Sequence, residues 1–324
     1  MRPYSSEPVC DEIEEMNKIG LLVGRERSFP DALIAEINRR NEGVSAEYAL
    51  IGEINVADQN NYSVILDRIS HEVIFYQPYL KAAVLSGTQV INNPFWRIAD
   101  DKFFGTALAR KLGIAVPKTV ALPSHSYPEG IVPESLSNLK YPLDWMAILE
   151  YVGLPAIMKP HWGGGWRDVH RIQSLAELIS VYNETGRLTM MVQEFIEWQQ
   201  YVRCICIGKT NILIANWDPT KPHHERYQNA GQKLEPALEE RIHSDAVKLN
   251  EALGYDMNTV EFAIRDGVPY AIDFMNSAPD FDITSLTDSY FPWVVKAMAD
   301  LLIGRAKQKK QGRTKYRWDS LLNS

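Results

Sequence analysis

The sequence is poor in cysteine, with three among 324 residues: Cys10, Cys204 and Cys206. Cys204 and Cys206 are two apart, which puts both on one face of a strand and makes a bridge between them geometrically poor. No Cys/His spacing of a metal-binding kind is present. The expectation is a reducing, cytoplasmic protein with free thiols. No apolar run approaches the ~18 residues of a membrane span. The start, residues 1–15, is acidic and polar, and no signal peptide is expected there. Positive charge is not in excess, since 34 Lys and Arg against 41 Asp and Glu leave a net charge of −7. That argues against general nucleic-acid binding, which wants a basic face. Internal repeats are lacking as well. What is present, 45% hydrophobic and 23% charged residues, suits a globular protein of two domains or three small ones.

The first third alternates strand and helix signals. Residues 19–24 ("IGLLVG") read as a short buried strand ending in glycine, and 29–41 follow with helical spacing at Leu33, Ile34 and Ile37. Residues 62–67 read as a strand, 78–86 as a helix and 89–91 as a short strand. This βαβα order predicts a parallel sheet covered by helices. Residues 101–112 predict a helix capped by Asp100 or Asp101 and stopped by Gly113, with a strand after Pro117. Residues 125–141, rich in Pro, Ser and Gly, read as a loop, and 143–152 as a helix.

An α+β unit follows. Strands are expected at 156–160, 168–172 and 189–194. A Ser174-x-x-Glu177 capping box opens a helix that ends at Gly186. Residues 201–207 and 211–217 form a hairpin across Gly208. Residues 236–253 form a long helix, with proline at its start and Gly254 at its end. Residues 259–263 and 270–274 form a hairpin around Asp266 and Gly267. The last helix is 291–303. The basic stretch after it (Lys307, Lys309, Lys310, Arg313, Lys315, Arg317) reads as mobile and solvated.

Four features carry chemistry. In "PAIMKPHWGGGWR", Lys159 closes an apolar strand, where an inward lysine is costly without an anion. Gly163, Gly164 and Gly165 then expose backbone N–H groups of the kind that cradle phosphate oxygens. The plainer alternative is a glycine turn with Lys159 snorkelling to water. The P-loop pattern is absent. Lys102, in the first turn of its helix, opposes the helix dipole by ~0.3–1 kcal/mol. An anion at that helix end, or simply Asp100 and Asp101, would offset this.

Glu261 and Asp273 are interior to otherwise apolar strands. A three-residue loop would pair them directly across the hairpin, whereas a two-residue loop would put them on opposite faces. Facing carboxylates repel and demand a cation or a shared proton. Oxygen ligands of this kind suit magnesium bound together with phosphates, and Asn276 adds a neutral oxygen nearby. The alternative is that both acids lie on a solvated sheet face. Gln193, Glu194, Phe195 and Ile196 form a strand-to-loop junction whose backbone groups could read an adenine edge; an ordinary strand exit is the plainer reading of these residues alone. Arg203, flanked by Val202, Cys204 and Ile205, needs an anionic partner. No general base is identifiable; His161, His223 and His224 are candidates by chemistry, with a surface position the expectation for each.

In their order, "DDKFFGTALARKLGIAVPKT", "PAIMKPHWGGGWRDV", "VQEFI" with "YVRCICIG", and "VEFAIRDGVPYAIDFMN" resemble the ATP-grasp superfamily. The nearest likeness is to RimK-like glutamate ligases and the glutathione synthetase group. The resemblance runs from about residue 92 to about 303, with a matching α/β domain before it. It implies an α/β and α+β chain: an ATP-grasp fold, with two α+β lobes sandwiching ATP, preceded by a small parallel-sheet α/β domain. The implied organisation is an N-terminal segment 1–17, the α/β domain 18–97, and a central part 98–196 with a mobile lid from about 153. A C-terminal lobe with the metal site, 197–304, and a mobile basic tail, 305–324, follow.

The resemblance also implies roles. Lys102 and Lys159 would hold the ATP phosphates, with Gly163, Gly164 and Gly165 folding over them. Gln193, Glu194 and Ile196 would line the adenine pocket, and Gln200 or Tyr201 stands where a ribose-binding acid is usual. Glu261, Asp273 and Asn276 would bind two magnesium ions, manganese being the alternative metal. Arg203 matches an arginine near the transferred phosphoryl group, and Arg226 with Asn229 an Arg/Asn pair near substrate and phosphate. Two departures stand out. The spacing Asp273-Phe-Met-Asn276 turns Asn276 to the other face unless the strand bulges or ends, and Trp162 and Trp166 are bulky for a phosphate loop.

The implied activity is an ATP-dependent carboxylate–amine ligase working through an acylphosphate and releasing ADP and phosphate. Its substrates would be a small carboxylate and an amine (amino acid or peptide), with no nucleic acid, no membrane, and a homodimer as the assembly. The alternatives are a phosphotransferase acting on a hydroxyl and a nucleotide-binding regulatory protein without turnover. Acceptor specificity is expected in loops 125–141, 217–232 and 278–290.

Overall fold

The computed structural model describes residues 17–57, 60–96, 101–227, 233–308, 314–316, 318 and 321. They build three four-stranded sheets. The first contains β1 (Asn17–Leu22), β2 (Val44–Tyr48), β3 (Val64–Asp67) and β4 (Gln89–Ile91), in the order β2-β1-β3-β4. All its pairs are parallel, as the βαβα pattern requires. Helices α1 (Ser28–Arg40) and α2 (Tyr76–Leu85) connect the strands. β2 escapes the sequence reading because "VSAEY" offers only two fully buried side chains, Val44 and Ala46. The Asn38 side chain fixes its place by accepting from the Ala46 N–H and donating to the Ala46 carbonyl.

Beyond β4, Asn92 joins the first sheet to the third. Its buried amide accepts from the N–H groups of Asp256 and Met257 and donates to the carbonyls of Met257 and Ser277. Next comes α3 (Lys102–Lys111), capped by Asp101, whose side chain accepts from the Phe104 N–H. Gly105 lets this helix ride directly on residues 274–275, for a Cβ there would lie 3.0 Å from the Met275 sulfur.

The second sheet contains β5 (Thr119–Leu122), β6 (Ala156–Pro160), β7 (His170–Ile172) and β8 (Met190–Glu194), antiparallel in the order β5-β8-β6-β7. With α4 (Trp145–Val152) and α5 (Leu175–Glu184) it encloses its own core, including Leu122, Met158, Ile172, Leu178 and Val192. Ser174 caps α5 as the capping box predicts.

The third sheet contains β9 (Gln200–Ile207), β10 (Asn211–Asn216), β11 (Met257–Arg265) and β12 (Val268–Asp273), antiparallel in the order β10-β9-β11-β12. Strand alternation divides its faces. Val202, Cys204, Cys206, Val260, Phe262 and Ile264 pack with Ile242, Ala246 and Leu249 of α6 (Pro236–Leu253) and with Ala109 of α3. Both thiols are free and buried on that face. Ile205, Ile207, Ala215 and Met257 on the opposite face join Ile19, Leu21 and Phe29 of the first unit and α7 (Ile283–Lys307) in one continuous core.

Two expectations need correction. α7 begins at Ile283 rather than 291, because Asp282 caps a first turn through the Thr284 N–H; Thr287 (φ 60°, ψ 171°) then breaks the helix and disrupts its periodicity. The basic tail is not wholly solvated. Tyr316 and Trp318 stack with centroids 4.8 Å apart and pack on Phe95, while Asn93 donates to the Tyr316 hydroxyl at 2.7 Å. Among the described residues no helix is long and apolar enough to cross a membrane.

Asn92→Ala strips the partners from several buried backbone groups at the junction of the first and third sheets. Chemical denaturation should show a loss of about 3 kcal/mol. A loss below about 1 kcal/mol would mean that the junction does not depend on this amide.

Candidate functional site

The site begins with a register shift. The β11–β12 hairpin has a two-residue turn, Asp266 (φ 54°) and Gly267 (φ 72°), with Arg265 opposite Val268. Positive φ at both positions is the primed turn that matches strand twist. Such a turn would by itself send Glu261 and Asp273 to opposite faces, as the sequence reading anticipates. A β-bulge between Glu261 and Phe262 corrects this. Phe262 lies opposite Ala271 but Glu261 lies opposite Asp273, leaving Ile272 as the extra residue.

The lysines arrive from two other elements. Lys102 on α3 reaches Asp273 Oδ1 at 3.0 Å, rather than being neutralised by Asp101. Lys159 at the end of β6 lines the same narrow cleft, together with Thr106, Met191, Phe274 and Met275. Burial pushes the Lys159 ammonium down to about 8; the Asp273 charge opposes this and Lys102 adds to it. Burial would raise the Asp273 carboxyl, but Lys102 and Lys159 hold it below its ordinary value. Glu261 is shifted the other way, by burial and by the neighbouring Asp273 charge, against the pull of Arg203 and the Tyr201 hydrogen bond.

Arg203 on β9 lies opposite Glu261 in the ladder and donates to Thr259 Oγ1 at 3.1 Å. Its buried Nε makes no hydrogen bond and stands 3.5 Å from Glu261 Oε1. The guanidinium groups of Arg203 and Arg226 both lie over Trp217, 5.0 and 5.2 Å from its ring centroid. Tyr201 donates to Glu261 at 2.8 Å. Trp217, Thr106 and Met191 were missed by sequence reasoning. A usable signal existed for Trp217, which lies two residues beyond Ala215, the partner of Arg203 across β9–β10.

Other expected residues are placed differently. Gln193 is buried and donates to Thr119 Oγ1 at 3.0 Å. Glu194 accepts from the Lys118 N–H and pairs with Arg265 at 3.0 Å. Ile196 is buried. These side chains are therefore engaged within the protein. Gln200 starts β9, opposite Ile264. Gly163, Gly164 and Gly165 lie in an exposed loop, and a Cβ on any of them would meet nothing within 4 Å. Trp162 and Trp166 are exposed on that loop.

β12 ends at Asp273, so strand alternation no longer sets the direction of Asn276; its N–H donates to Asn258 Oδ1. Asn229 and Asp100 lie outside the described residues. His161 is not a plain surface residue, because its Nδ1 stands 2.9 Å from Asp101 Oδ2.

Among the described residues no three His, Cys, Asp or Glu side chains cluster to hold a metal ion. Glu261 and Asp273 supply two carboxylates, both oxygen donors forced together by the bulge. That set fits a hard divalent cation that takes its remaining ligands from an amide oxygen, water and phosphate.

No protein-family model matches the chain. A structure of a RimK-domain ATP-grasp protein from Sphaerobacter thermophilus superposes with a TM-score of 0.61 at 20% identity, covering 89% of this chain and all of that one. The fold is ATP-grasp. D-alanine–D-alanine ligase from Bacillus anthracis, determined with ATP, gives a TM-score of 0.57 at 17% identity over 93% of this chain and all of that one. The ATP-grasp ligase PsnB with minimal precursor, Mg and ADP gives 0.60 at 14% identity over 90% of this chain and 98% of that one. Among curated proteins, human mitochondrial pyruvate carboxylase is 30% identical over 138 residues, 37% of this chain and 12% of that protein. D-alanine–D-alanine ligase of Ralstonia pickettii is 35% identical over 68 residues. The chain thus spans 12% to 20% of the length of these curated relatives.

Lys159→Met should stabilise the nucleotide-free protein. An ammonium held at about 8, against an ordinary 10.5, costs about 3 kcal/mol wherever it stays charged in both states. The cost is complete below pH 8, fades as pH rises toward 10.5 and is gone above it. Denaturation midpoints of the two proteins should therefore differ at pH 7 and converge at high pH. A variant less stable than wild type at pH 7 would show that Lys159 is satisfied in the free protein.

Proposed function

We propose that the protein is an ATP-dependent carboxylate–amine ligase, with ATP and a small carboxylate and an amine (amino acid or peptide) as substrates. One observation carries this reading: within an ATP-grasp fold, Lys102, Lys159 and Asp273 line one cleft and Glu261 lies opposite Asp273, although the four come from four separate elements, α3, β6, β11 and β12. In the proposed reaction a substrate carboxylate attacks the γ-phosphorus of ATP, giving an acylphosphate and ADP, and an amine then displaces phosphate to form an amide. Lys102 and Lys159 bind and orient the phosphates, which supports transfer through charge neutralisation and positioning. Arg203, with one buried N–H making no hydrogen bond, stabilises charge on the transferred group, and Arg226, whose guanidinium also lies over Trp217, supports it. Glu261, Asp273 and Asn276 would hold magnesium, which neutralises triphosphate charge when bound.

Gln193, Glu194 and Ile196 act in this reading through backbone groups at an adenine edge. The glycine loop 163–165, with Trp162 and Trp166, excludes water from the acylphosphate. Asn229 is proposed to act with Arg226 on substrate and phosphate.

ADP release with magnesium should be measured against pooled amino acids, small peptides and hydroxy acids. At least one pool should stimulate turnover. Lys159→Ala and Asp273→Ala should each abolish it while leaving the circular dichroism spectrum intact. Undiminished turnover in both variants would exclude this site. A stable phosphorylated product with no free phosphate would instead make the protein a phosphotransferase.

A further inference from the structure

Asp101 uses its two oxygens for two purposes. Oδ1 accepts the Phe104 N–H at 2.9 Å and caps α3; Oδ2 meets His161 Nδ1 at 2.9 Å. Burial opposes its charge, but the Phe104 N–H and His161 hold the carboxyl below its ordinary value, so it stays ionised. A carboxylate only accepts, so Nδ1 must carry the hydrogen. In the neutral ring that tautomer leaves the Nε2 lone pair free. No described residue hydrogen-bonds Nε2, and the side chain is 31% exposed.

The position of this imidazole follows from the ladder. Lys159 lies opposite Met191 and Pro160 opposite Met190, and the His161 N–H donates to the Thr189 carbonyl at 3.1 Å. The chain therefore remains extended one residue past β6. Ala156 and Met158 face the core of the second sheet. Lys159, with Met191 opposite, lines the cleft. By alternation His161 is the next residue on the cleft side, between Lys159 and the glycine loop. The Lys102 N–H also donates to the His161 carbonyl at 2.9 Å.

We infer that His161 takes the proton from the attacking amine, with Asp101 as its positioning residue; this rests on the ligase reading above. The amine lone pair forms the C–N bond at the acylphosphate carbonyl. The C–O bond to phosphate breaks, and its electron pair leaves with phosphate. The N–H proton passes to His161 Nε2, and Asp101 stabilises the resulting imidazolium. The other charged groups of the cleft are committed: Lys102 to Asp273, and Glu261 to Tyr201 and Arg203. In the ligase reading Lys159 is spent on the ATP phosphates, whose negative charge keeps it an ammonium.

The test uses His161→Gln and Asp101→Asn in the full chain, with ATP, magnesium and the twenty common amino acids pooled, with and without hydroxylamine. Hydroxylamine is uncharged at neutral pH and captures acylphosphates without a base. His161→Gln should lower amide-forming kcat about 100-fold or more. The KM for ATP should stay within about twofold, and hydroxamate formation should stay near the wild-type rate. Asp101→Asn keeps an N-cap but not the charge, and should show the same split at about 10-fold. Wild-type amide formation in His161→Gln, or equal loss of amide and hydroxamate, would overturn the assignment. A wild-type protein giving neither ADP nor hydroxamate would instead sink the ligase reading and this role with it. Imidazole nitrogen NMR, which needs no substrate, should find the Nδ1–H tautomer at His161 and its loss in Asp101→Asn. The Nε2–H tautomer in wild type would also overturn it.

Discussion

The site depends on which face of the third sheet carries the Asp273 carboxylate. On one face lies the packing with α6, made of Val202, Val260, Phe262 and Leu249, where an ion would meet only hydrocarbon. On the other are Lys102, Lys159 and Arg203. A bulge at Ile272 makes the choice. Without it the hairpin would bury an uncompensated charge among apolar side chains, at a cost of several kcal/mol. With it, one carboxylate gathers cations from α3, β6 and β9, and the fold brings together groups that no short segment of sequence contains.

That gathering leaves the charges unevenly served. Asp273 is well paired, whereas Glu261 beside it is shifted toward its neutral form by burial and by Asp273. Lys159 is pushed toward its neutral form by desolvation. Paired titratable groups driven apart in this way cluster at functional sites, which is the pattern the proposed ligase site calls for. The Arg203 Nε, buried without a hydrogen bond, belongs to the same pattern.

Much of this was legible in the sequence and the remainder was hidden for identifiable reasons. The parallel sheet followed from alternating strand and helix signals, and the cap of α3 from an aspartate before an apolar-periodic run. Lys159 stood out as a lysine closing a buried strand. The hairpin register could not be read, because turn length fixes it only when bulges are counted, and a bulge leaves no mark in "VPYAID". β2 is too short and too polar to announce itself. Tyr316 and Trp318 sit in a run of cations whose composition masks two aromatic anchors. The Asp101–His161 contact joins residues 60 positions apart, a separation that one-dimensional patterns do not reach.

The distribution of apolar packing has a mechanical consequence. The first and third sheets share one core with α7, and α3 is fastened to the third sheet through Ala109. The second sheet is filled by its own side chains. Lys102, Asp273, Glu261 and Arg203 thus sit on one packed interior and Lys159 and His161 on the other, with His161 tied across through Asp101 and the Lys102 N–H. Relative rotation of the two would break a few polar links, such as Glu194 to Arg265, and would leave each hydrophobic interior intact. The gap between the two lysines thus runs between two hydrophobic interiors, while the Lys102–Asp273 spacing is set by packing within one.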